Sequence, residues 1–368
     1  MNAKSNFLLV AYVVAVACGA PDARADFTFG ARVSLGPVVN SPQGDSIPVV
    51  SPDGLELYFA SNRPGGSGDY DIWVSKRPST EAPWEPPANL GPGINSTGQE
   101  FPTSVSSDGL TLYFFAYMFT YRDLYTATRP TKDAPWSPRV SLGQIINRPQ
   151  AGGEAVWGQD AGGIISPDGL ELFFWSYRLR PADWSEIYVT TRATTADLWG
   201  PPVNVGPPVN SAGTEVPVSI TPDGLVLFIG TTRPGGFGGW DTWMARRAYR
   251  GAGWSEPVNL GPSFNTSRGE VLTSLSSDGR WCYIGEYESA GPVGDLWMAP
   301  IIPIVDFNVD GKTDVVDLVL LVNDWGTNNP RCDIGPFAWG DGKVDIEDLK
   351  VFMAYYEKAN LPQANEDK

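Results

Sequence analysis

The chain has 368 residues, no histidine, and a formal net charge of −16 that arises from 42 acidic and 26 basic residues. Without imidazole, a Ser-His-Asp triad, a Cys-His dyad and a histidine metal site are excluded. The acidic excess predicts repulsion from nucleic acids and anionic membranes, so cations, neutral polymers and basic protein patches are the expected partners. The 41 glycines and 33 prolines predict many short elements joined by turns.

Residues 1–25 have the pattern of a secretory signal peptide. Lys4 supplies the positive start, Phe7 to Ala17 form an apolar run, and Ala23-Arg24-Ala25 resembles a cleavage site. The run is too short to span a membrane, so no transmembrane segment is expected. The sequence around Cys18 also loosely resembles a lipoprotein cleavage box, which is the alternative. In both cases the mature chain is expected outside the cytoplasm, either secreted or at the cell surface.

Residues 26–300 contain five repeats of about 55 residues. Each repeat has one Asp-Gly turn between two alternating apolar runs, a pattern typical of antiparallel strands. A third run starts with an acidic residue and a fourth follows an aromatic residue, so each repeat predicts four strands. Such a sheet cannot bury both faces alone, and packing around a ring solves this. We therefore predict a mainly β fold, a five-bladed β-propeller. The turn aspartates are Asp53, Asp108, Asp168, Asp223 and Asp278.

The N-terminus is expected to close the ring. The fifth repeat lacks its fourth strand, and a spare copy, Phe29 to Gly36, precedes the first repeat. The turns and the segment 61–77 resemble the TolB-type, WD-like propeller family with Ser-Pro-Asp-Gly repeats, over about three quarters of the chain. This resemblance implies a binding scaffold and little chemistry.

One acidic residue begins the innermost strand of each predicted blade. These residues lie eight positions before the turn aspartates and could surround the channel mouth, where they would coordinate a cation or bind sugar hydroxyls. In the alternative, each pairs with an arginine, for which Arg63, Arg178 and Arg233 are candidates, or caps a loop between blades. The five acids are Asp45, Glu100, Asp160, Glu215 and Glu270.

The third repeat breaks the symmetry with five extra residues within 152–160. They add Glu154 and Trp157 to the propeller face opposite the Asp-Gly turns, where Tyr177, Arg178 and Trp184 are also expected. Aromatic rings beside arginine suit stacking on sugars or anchoring of a protein partner. The alternative is packing between blades beneath a longer loop.

Residues 306–317 match a calcium-binding loop. Oxygen donors occupy loop positions 1, 3, 5, 9 and 12, a glycine occupies position 6, and position 7 would coordinate through its backbone carbonyl. A helix from Leu318 to Trp325 is expected to follow. The predicted ligands are Asp306, Asn308, Asp310, Lys312, Asp314 and Asp317.

A second loop is less regular, because Phe337 and Trp339 stand at its positions 1 and 3. Asp333 would replace the missing first ligand if the loop is expanded. A helix from about Asp345 to Tyr356 and a disordered tail over 359–368 are predicted. The other predicted ligands are Asp341, Lys343, Asp345 and Asp348.

The two loop–helix units resemble a type I dockerin, here residues 301–358. The resemblance implies a small all-α, EF-hand-like domain, calcium as the cofactor and a cohesin-like protein partner. The recognition positions of that family commonly hold Ser-Thr-like pairs, whereas this chain has Val315-Val316 and Ile346-Glu347. Packing of the module against the propeller therefore stays open as a second role.

The sequence predicts a monomeric, secreted, calcium-binding scaffold or binding protein for extracellular polysaccharide or a protein partner. A glycoside hydrolase using propeller carboxylates is the alternative, because two carboxylates suffice for that reaction. No catalytic pair stands out, since the five inner acids are equivalent in sequence. Cys282 and Cys332 are expected to be unpaired.

Overall fold

The computed structural model describes residues 27–118, 121–147, 159–178, 184–267, 269–287 and 294–360. Glu154 and Trp157 lie outside these ranges. The first elements are β1 (Phe27–Phe29), β2 (Val33–Ser34) and α1 (Gly36–Val39). Blade 1 contains β3 (Asp45–Val50), β4 (Glu56–Ser61), β5 (Asp71–Lys76) and β6 (Ala88–Asn89). Blade 2 contains β7 (Gln99–Val105), β8 (Thr111–Met118), β9 (Tyr121–Thr128) and β10 (Val140–Ser141). Blade 3 contains β11 (Asp160–Ile165), β12 (Glu171–Ser176), β13 (Glu186–Thr191) and β14 (Val203–Asn204).

Blade 4 contains β15 (Glu215–Ile220), β16 (Val226–Thr231), β17 (Asp241–Arg246) and β18 (Val258–Asn259). Blade 5 contains β19 (Gly269–Leu275), β20 (Trp281–Tyr287) and β21 (Leu296–Pro303). The C-terminal module contains α2 (Val315–Asn323) and α3 (Ile346–Asn360). The strands form five separate antiparallel sheets, so the fold is mainly β with a five-bladed propeller arrangement.

The N-terminal strands complete blade 5, as predicted. Val33 and Ser34 of β2 pair with Met298 and Trp297 of β21, which is the pairing that β6 makes with β5 in blade 1. β1 also pairs with β21, and its register places Phe27 opposite Pro303. The last strand therefore extends through Pro303, three residues beyond the predicted domain boundary at residue 300.

The Asp-Gly turns have the structure that the sequence predicts. In blade 1, the Asp53 carboxylate accepts hydrogen bonds from the Ser51 hydroxyl at 2.6 Å and from the Leu55 amide at 3.1 Å. Gly54 has φ of +73°, a conformation that a side chain would strain. Burial opposes ionisation of Asp53, but the hydrogen bonds from Lys132, Ser51 and the Leu55 amide together with the charge of Lys132 outweigh it and lower the pKa of Asp53 to about 2.

The hydrophobic core lies between neighbouring blades. Tyr58 and Ile72 of blade 1, for example, pack in one buried cluster with Leu112 and Phe114 of blade 2. Alternation places one set of side chains on each face of a sheet, and both faces are covered by the adjacent blades. This packing is why the strands of one blade need the rest of the ring. Cys282 is buried in such a cluster, and both it and Cys332 are unpaired, as expected.

The helices of the C-terminal module differ slightly from the prediction. Helix α2 begins at Val315, three residues early, because Asp314 and Asp317 form a reciprocal capping box at its start. Helix α3 continues to Asn360, two residues into the segment predicted to be disordered, and the Asn360 amide donates a 3.0 Å hydrogen bond to the Thr313 carbonyl. Within the described ranges, no helix has the length and apolar character needed to cross a membrane.

Candidate functional site

The five acids that begin the innermost strands are all buried, with at most 1% of their surface exposed. In blades 1, 2, 4 and 5 the loop before the strand supplies donors. The Ser41 amide and hydroxyl, for example, bond Asp45 at 2.6 and 3.0 Å, and the Thr266 amide bonds Glu270 at 2.8 Å. These contacts cap the connection between one blade and the next. None of the five carboxylates presents an open surface to the channel.

Each acid also pairs with an arginine, and the arginine comes from one of two places. In three blades it follows the second strand, as predicted: Arg63 to Asp45 at 2.7 Å, Arg178 to Asp160 at 2.7 Å and Arg233 to Glu215 at 3.6 Å. In blades 2 and 5 it precedes the fourth strand instead: Arg139 to Glu100 at 3.0 Å and Arg32 to Glu270 at 3.4 Å.

The sequence shows why the arginine changes place. Position 118, which corresponds to Arg63, is a methionine in blade 2, and there the fourth strand is preceded by Arg139. The equivalent of Arg139 in blade 1 is Pro87. In both arrangements the guanidinium also donates to the loop carbonyl between blades: Val39 for Arg63 at 2.6 Å, and Ile94 for Arg139 at 3.5 Å. The acids therefore hold the blade junctions together.

An asparagine clamps each of these junctions. Asn95 accepts a hydrogen bond from the Ile72 amide at 2.8 Å and donates one to the Ile72 carbonyl at 3.0 Å. The side chain thus mimics a paired strand and joins blade 1 to the loop that enters blade 2. The equivalent side chains make the same two contacts: Asn40, Asn147, Asn210 and Asn265.

A cavity that offers space for a ligand lies in the central channel, on the face opposite the Asp-Gly turns. Its volume is about 390 Å³, and its described lining contains no carboxylate. Hydroxyl and amide groups line it beside an aromatic wall. A cavity with a few polar groups among apolar surfaces has the usual character of a small-ligand site. The aromatic lining residues are Phe101, Phe115, Tyr117, Trp175, Tyr177 and Trp240.

The aromatic wall belongs mainly to blades 2 and 3. Phe115 and Trp175 occupy the same register position, where blade 1 has Ala60 and blades 4 and 5 have Gly230 and Gly285. Ala60, Gly230 and Gly285 do not line the cavity, so at this register position only blades 2 and 3 reach it. This difference between blades is visible in the aligned repeats, but the sequence analysis did not use it.

Arg122 is the cation of this wall. Its guanidinium lies 4.7 Å from the ring centre of Tyr117 and 5.5 Å from that of Trp175. Its polar partner is the Gln159 side chain, and within the described ranges no acid neutralises it. A guanidinium that stacks on aromatic rings and has no carboxylate partner can donate hydrogen bonds to a neutral or anionic ligand.

The described residues that were predicted to lie together near the third repeat, Tyr177, Arg178 and Trp184, do not form one site. Tyr177 lines the cavity, and its ring meets that of Trp175 edge to face at 5.4 Å. Arg178 turns away and pairs with Asp160, whereas Trp184 is 44% exposed outside the cavity lining.

Asp123 differs from its equivalents in blades 1 and 4, Asp71 and Asp241. Asp71 accepts hydrogen bonds from the Ser67 and Gly68 amides of its own loop at 2.6 and 3.1 Å. Asp123 follows a tighter hairpin and, within the described ranges, accepts no hydrogen bond. Burial, reinforced by the nearby Asp160 carboxylate, raises the pKa of Asp123 to about 6.

The two loops of the C-terminal module have the same internal hydrogen bonds. Asp306 accepts from the amides of Asp310 and Gly311 at 3.2 and 2.8 Å. Asp333 accepts from Asp341 and Gly342 at 2.9 and 2.7 Å. Asp333 therefore occupies the first position of an expanded second loop, a place that the unexpanded alignment assigns to Phe337.

The residues at the twelfth position of the two loops, Asp317 and Asp348, also make corresponding hydrogen bonds. Asp317 accepts from the Phe307 and Asp314 amides at 2.7 and 2.9 Å. Asp348 accepts from the Ile334 and Asp345 amides at 2.6 Å each. Both carboxylates are fully buried at the start of a helix.

The donor set of the first loop fits calcium better than that of the second. Carboxylate, amide and carbonyl oxygens are the ligands that calcium prefers, and the first loop has them at every ligating position. The third position of the second loop falls on Gly335, which has no side chain. Burial raises the pKa of Asp333 to about 6. Among the described residues, no three acidic or cysteine side chains are grouped closely enough to hold one metal ion.

Solved structures with a similar fold include TolB from Acinetobacter baumannii, with a TM-score of 0.42 and 14% identity; the match covers 72% of this chain and 56% of TolB, so it spans little more than half of that protein. An α-L-arabinofuranosidase from Podospora anserina has a TM-score of 0.45 and 14% identity, over 76% of this chain and 97% of the enzyme. A thermostable family-43 glycoside hydrolase has a TM-score of 0.46 and 12% identity, over 73% and 92%. No protein family matches the sequence, and no curated protein matches it.

Proposed function

We propose that this chain is a secreted binding protein whose propeller holds a neutral carbohydrate at the aromatic end of its channel. The observation that carries the proposal is the aromatic wall of blades 2 and 3, which lines a cavity of about 390 Å³ together with hydroxyl and amide groups. Sugar rings present apolar C–H faces to aromatic rings and hydroxyls to polar groups. Gln99, Ser185 and Thr214 supply such polar groups in the lining.

The arrangement favours binding over hydrolysis. Glycosidases need two carboxylates beside the scissile bond. The five inner acids are held in ion pairs, and the described lining of the cavity has no carboxylate.

Binding is tested by calorimetry with a panel of soluble neutral oligosaccharides and the variant Trp175→Ala. We expect at least a tenfold loss of affinity, which corresponds to about 1.4 kcal/mol. The control is Tyr249→Ala, because Tyr249 is 66% exposed in the loop between β17 and β18, outside the cavity lining. Equal binding by both variants, or no binding of any oligosaccharide to the unmodified chain, would refute the carbohydrate site.

One observation favours a glycoside hydrolase as the second candidate. Asp123 is partly exposed beside the junction of blades 2 and 3, and burial holds its pKa near 6. A carboxyl that stays protonated close to neutral pH is suited to act as a general acid. Release of reducing sugar that Asp123→Asn abolishes and Asp53→Asn preserves would establish hydrolysis. Equal release by both variants would remove Asp123 from any such role.

For the C-terminal module, we propose a dockerin-like domain that binds calcium. The matching contacts of Asp306 with Asp333, and of Asp317 with Asp348, support two related loops. Calcium would coordinate carboxylate oxygens of these loops and offset their mutual repulsion. Calorimetry on the full chain should show calcium uptake that Asp310→Ala reduces and that Asp324→Ala, outside both loops, leaves intact. Uptake that Asp310→Ala leaves unchanged would refute the first site.

The module also has a surface suited to assembly. Four valines of α2 and the following tryptophan are all about half exposed, an unusual apolar patch for a small domain. We propose that this face meets an extracellular protein partner with a complementary apolar surface, of the cohesin type. A pull-down that Val319→Lys abolishes and Lys350→Val preserves would support it. The patch consists of Val315, Val316, Val319, Val322 and Trp325.

A further inference from the structure

The second loop of the C-terminal module contains four residues that the first loop lacks. Asp333 and Gly335 correspond to Asp306 and Asn308, and Gly340 corresponds to Val309. The insertion is therefore Pro336-Phe337-Ala338-Trp339, here named the latch segment. It lies inside the loop and interrupts neither helix.

The latch segment packs into the propeller and not into its own module. Trp339 is 2% exposed and belongs to the cluster that contains Phe27, Phe228 and Met244, whereas the core of the module is a separate cluster. Phe337 stacks on Trp339 with ring centres 5.1 Å apart and planes at 9°. Burying an aromatic side chain of this size is among the largest single apolar contributions available.

Propeller residues are shaped to receive these rings. Gly279, in the Asp-Gly turn of blade 5, lies so close that a Cβ would come within 2.7 Å of Phe337 and 2.8 Å of Trp339. Arg246, at the end of β17 in blade 4, donates a 2.9 Å hydrogen bond to the Trp339 carbonyl. The latch segment thus bridges blades 4 and 5.

The same rings cover the seam where the propeller closes. Phe27 of β1 lies 6.4 Å from Trp339 in an edge-to-face arrangement and pairs with Pro303 at the end of β21. β1 is held to the last blade by its pairing with β21 and by packing, and the Thr28 hydroxyl donates one 3.0 Å hydrogen bond to the Ser263 hydroxyl. A side chain that covers Phe27 therefore opposes the opening of the ring.

We propose that the latch segment couples metal binding in the second loop to closure of the propeller. The residues on either side of it, Asp333 and Asp341, belong to the proposed calcium loop, so the bound loop and the docked latch require the same backbone conformation. Coupling between two sites is reciprocal. Calcium should tighten the seam, and docking on the seam should strengthen calcium binding. The metal part of this proposal rests on the proposed calcium function, and the docking part does not.

The test compares Trp339→Ala with Trp325→Ala in the full mature chain. Trp325 is the matched control, because it belongs to the same module, is 46% exposed and lies outside the latch segment. Hydrogen exchange of the amides of residues 27–30 reports opening of the seam. We expect exchange at least tenfold faster in Trp339→Ala than in the control without calcium. With calcium, exchange should slow in the control and stay unchanged in Trp339→Ala.

Calorimetry in the same samples measures the reciprocal effect. We expect one of the two calcium sites to weaken at least tenfold in Trp339→Ala while the other is preserved. Equal exchange in both variants would overturn the latch. Faster exchange without any calcium uptake by the unmodified chain would overturn the calcium function and the coupling but retain the docking. If Trp339→Ala does not fold, Phe337→Ala, which removes only the stacked outer ring, gives the same comparison.

Discussion

Replacing Arg63 by methionine tests whether the inner acids hold the blade junctions. The substitution keeps an unbranched apolar stem but removes the guanidinium that lies 2.7 Å from Asp45. Asp45 would stay almost fully buried, with the Ser41 amide and hydroxyl as its remaining donors. The Val39 carbonyl would lose a 2.6 Å hydrogen bond as well.

The expected loss of unfolding free energy is about 3 kcal/mol. Removing one partner of a buried ion pair costs about 3 to 5 kcal/mol, and the lower end applies because Ser41 still bonds Asp45. At about 2 to 3 °C per kcal/mol for a protein of this size, the melting temperature should fall by about 6 to 9 °C. The control is Lys132→Met, which removes an exposed ion pair to Asp53 and should cost less than about 1 kcal/mol.

A second substitution makes the test specific. Pro87→Arg places an arginine where Arg139 stands in blade 2, and blades 2 and 5 show that an arginine at this position pairs with the inner acid of its own blade. Urea unfolding should show that Arg63→Met with Pro87→Arg recovers at least half of the loss. A cost of Arg63→Met no greater than that of Lys132→Met, or a double variant no more stable than Arg63→Met, would refute the reasoning.

Three other results are expected. Asn95→Ala should lower the unfolding free energy by about 1 to 3 kcal/mol in urea unfolding, because it leaves the buried amide of Ile72 without its partner, while the Ile72 carbonyl keeps the Leu90 amide at 3.1 Å. A loss below that of Lys132→Met would contradict the clamp. Asp123→Asn should stabilise the chain above pH 6 and not below pH 4. The folded pKa of about 6 exceeds the ordinary 3.8, so ionisation of Asp123 between these values costs folding stability. Melting curves at several pH values should show a gain of about 1 kcal/mol, a figure discounted for partial exposure, and equal curves for both chains would contradict it. Cys282 and Cys332, whose pKa values burial raises to about 12, should resist alkylation at pH 8 until urea unfolds the chain, as mass spectrometry would show; rapid native labelling would contradict their burial.

The fold was largely predictable because its signals are local. An Asp-Gly turn between alternating runs is encoded in about a dozen consecutive residues, and five copies with a spare fourth strand specify a closed ring. The second loop of the C-terminal module was harder to align, because its insertion separates Asp333 from Asp341. The hydrogen bonds of Asp333 identify the correct alignment, and they depend on the folded loop.

The channel site was harder to predict because it is assembled across blades. Phe115 and Trp175 are ordinary strand residues in the sequence, and only their shared register position places both on the channel. The sequence analysis did not identify Arg139 and Arg32 as partners of the acids. It considered arginines at a fixed sequence distance after the acid, and that spacing finds only the arginines that follow second strands. Comparison of equivalent positions between repeats, with Pro87 opposite Arg139, contains the missing signal.

The closure of blade 5 by β2 has a consequence for how the chain folds during its synthesis. β1 and β2 are made before every other strand, yet their partner, β21, is the last strand of the propeller. Until that strand emerges from the ribosome, β2 has no edge to join, and the four earlier blades form an open arc with apolar faces at both ends. Closure thus waits for the most distant contact in the domain, a step that is slow in β proteins and during which unfinished edges favour aggregation.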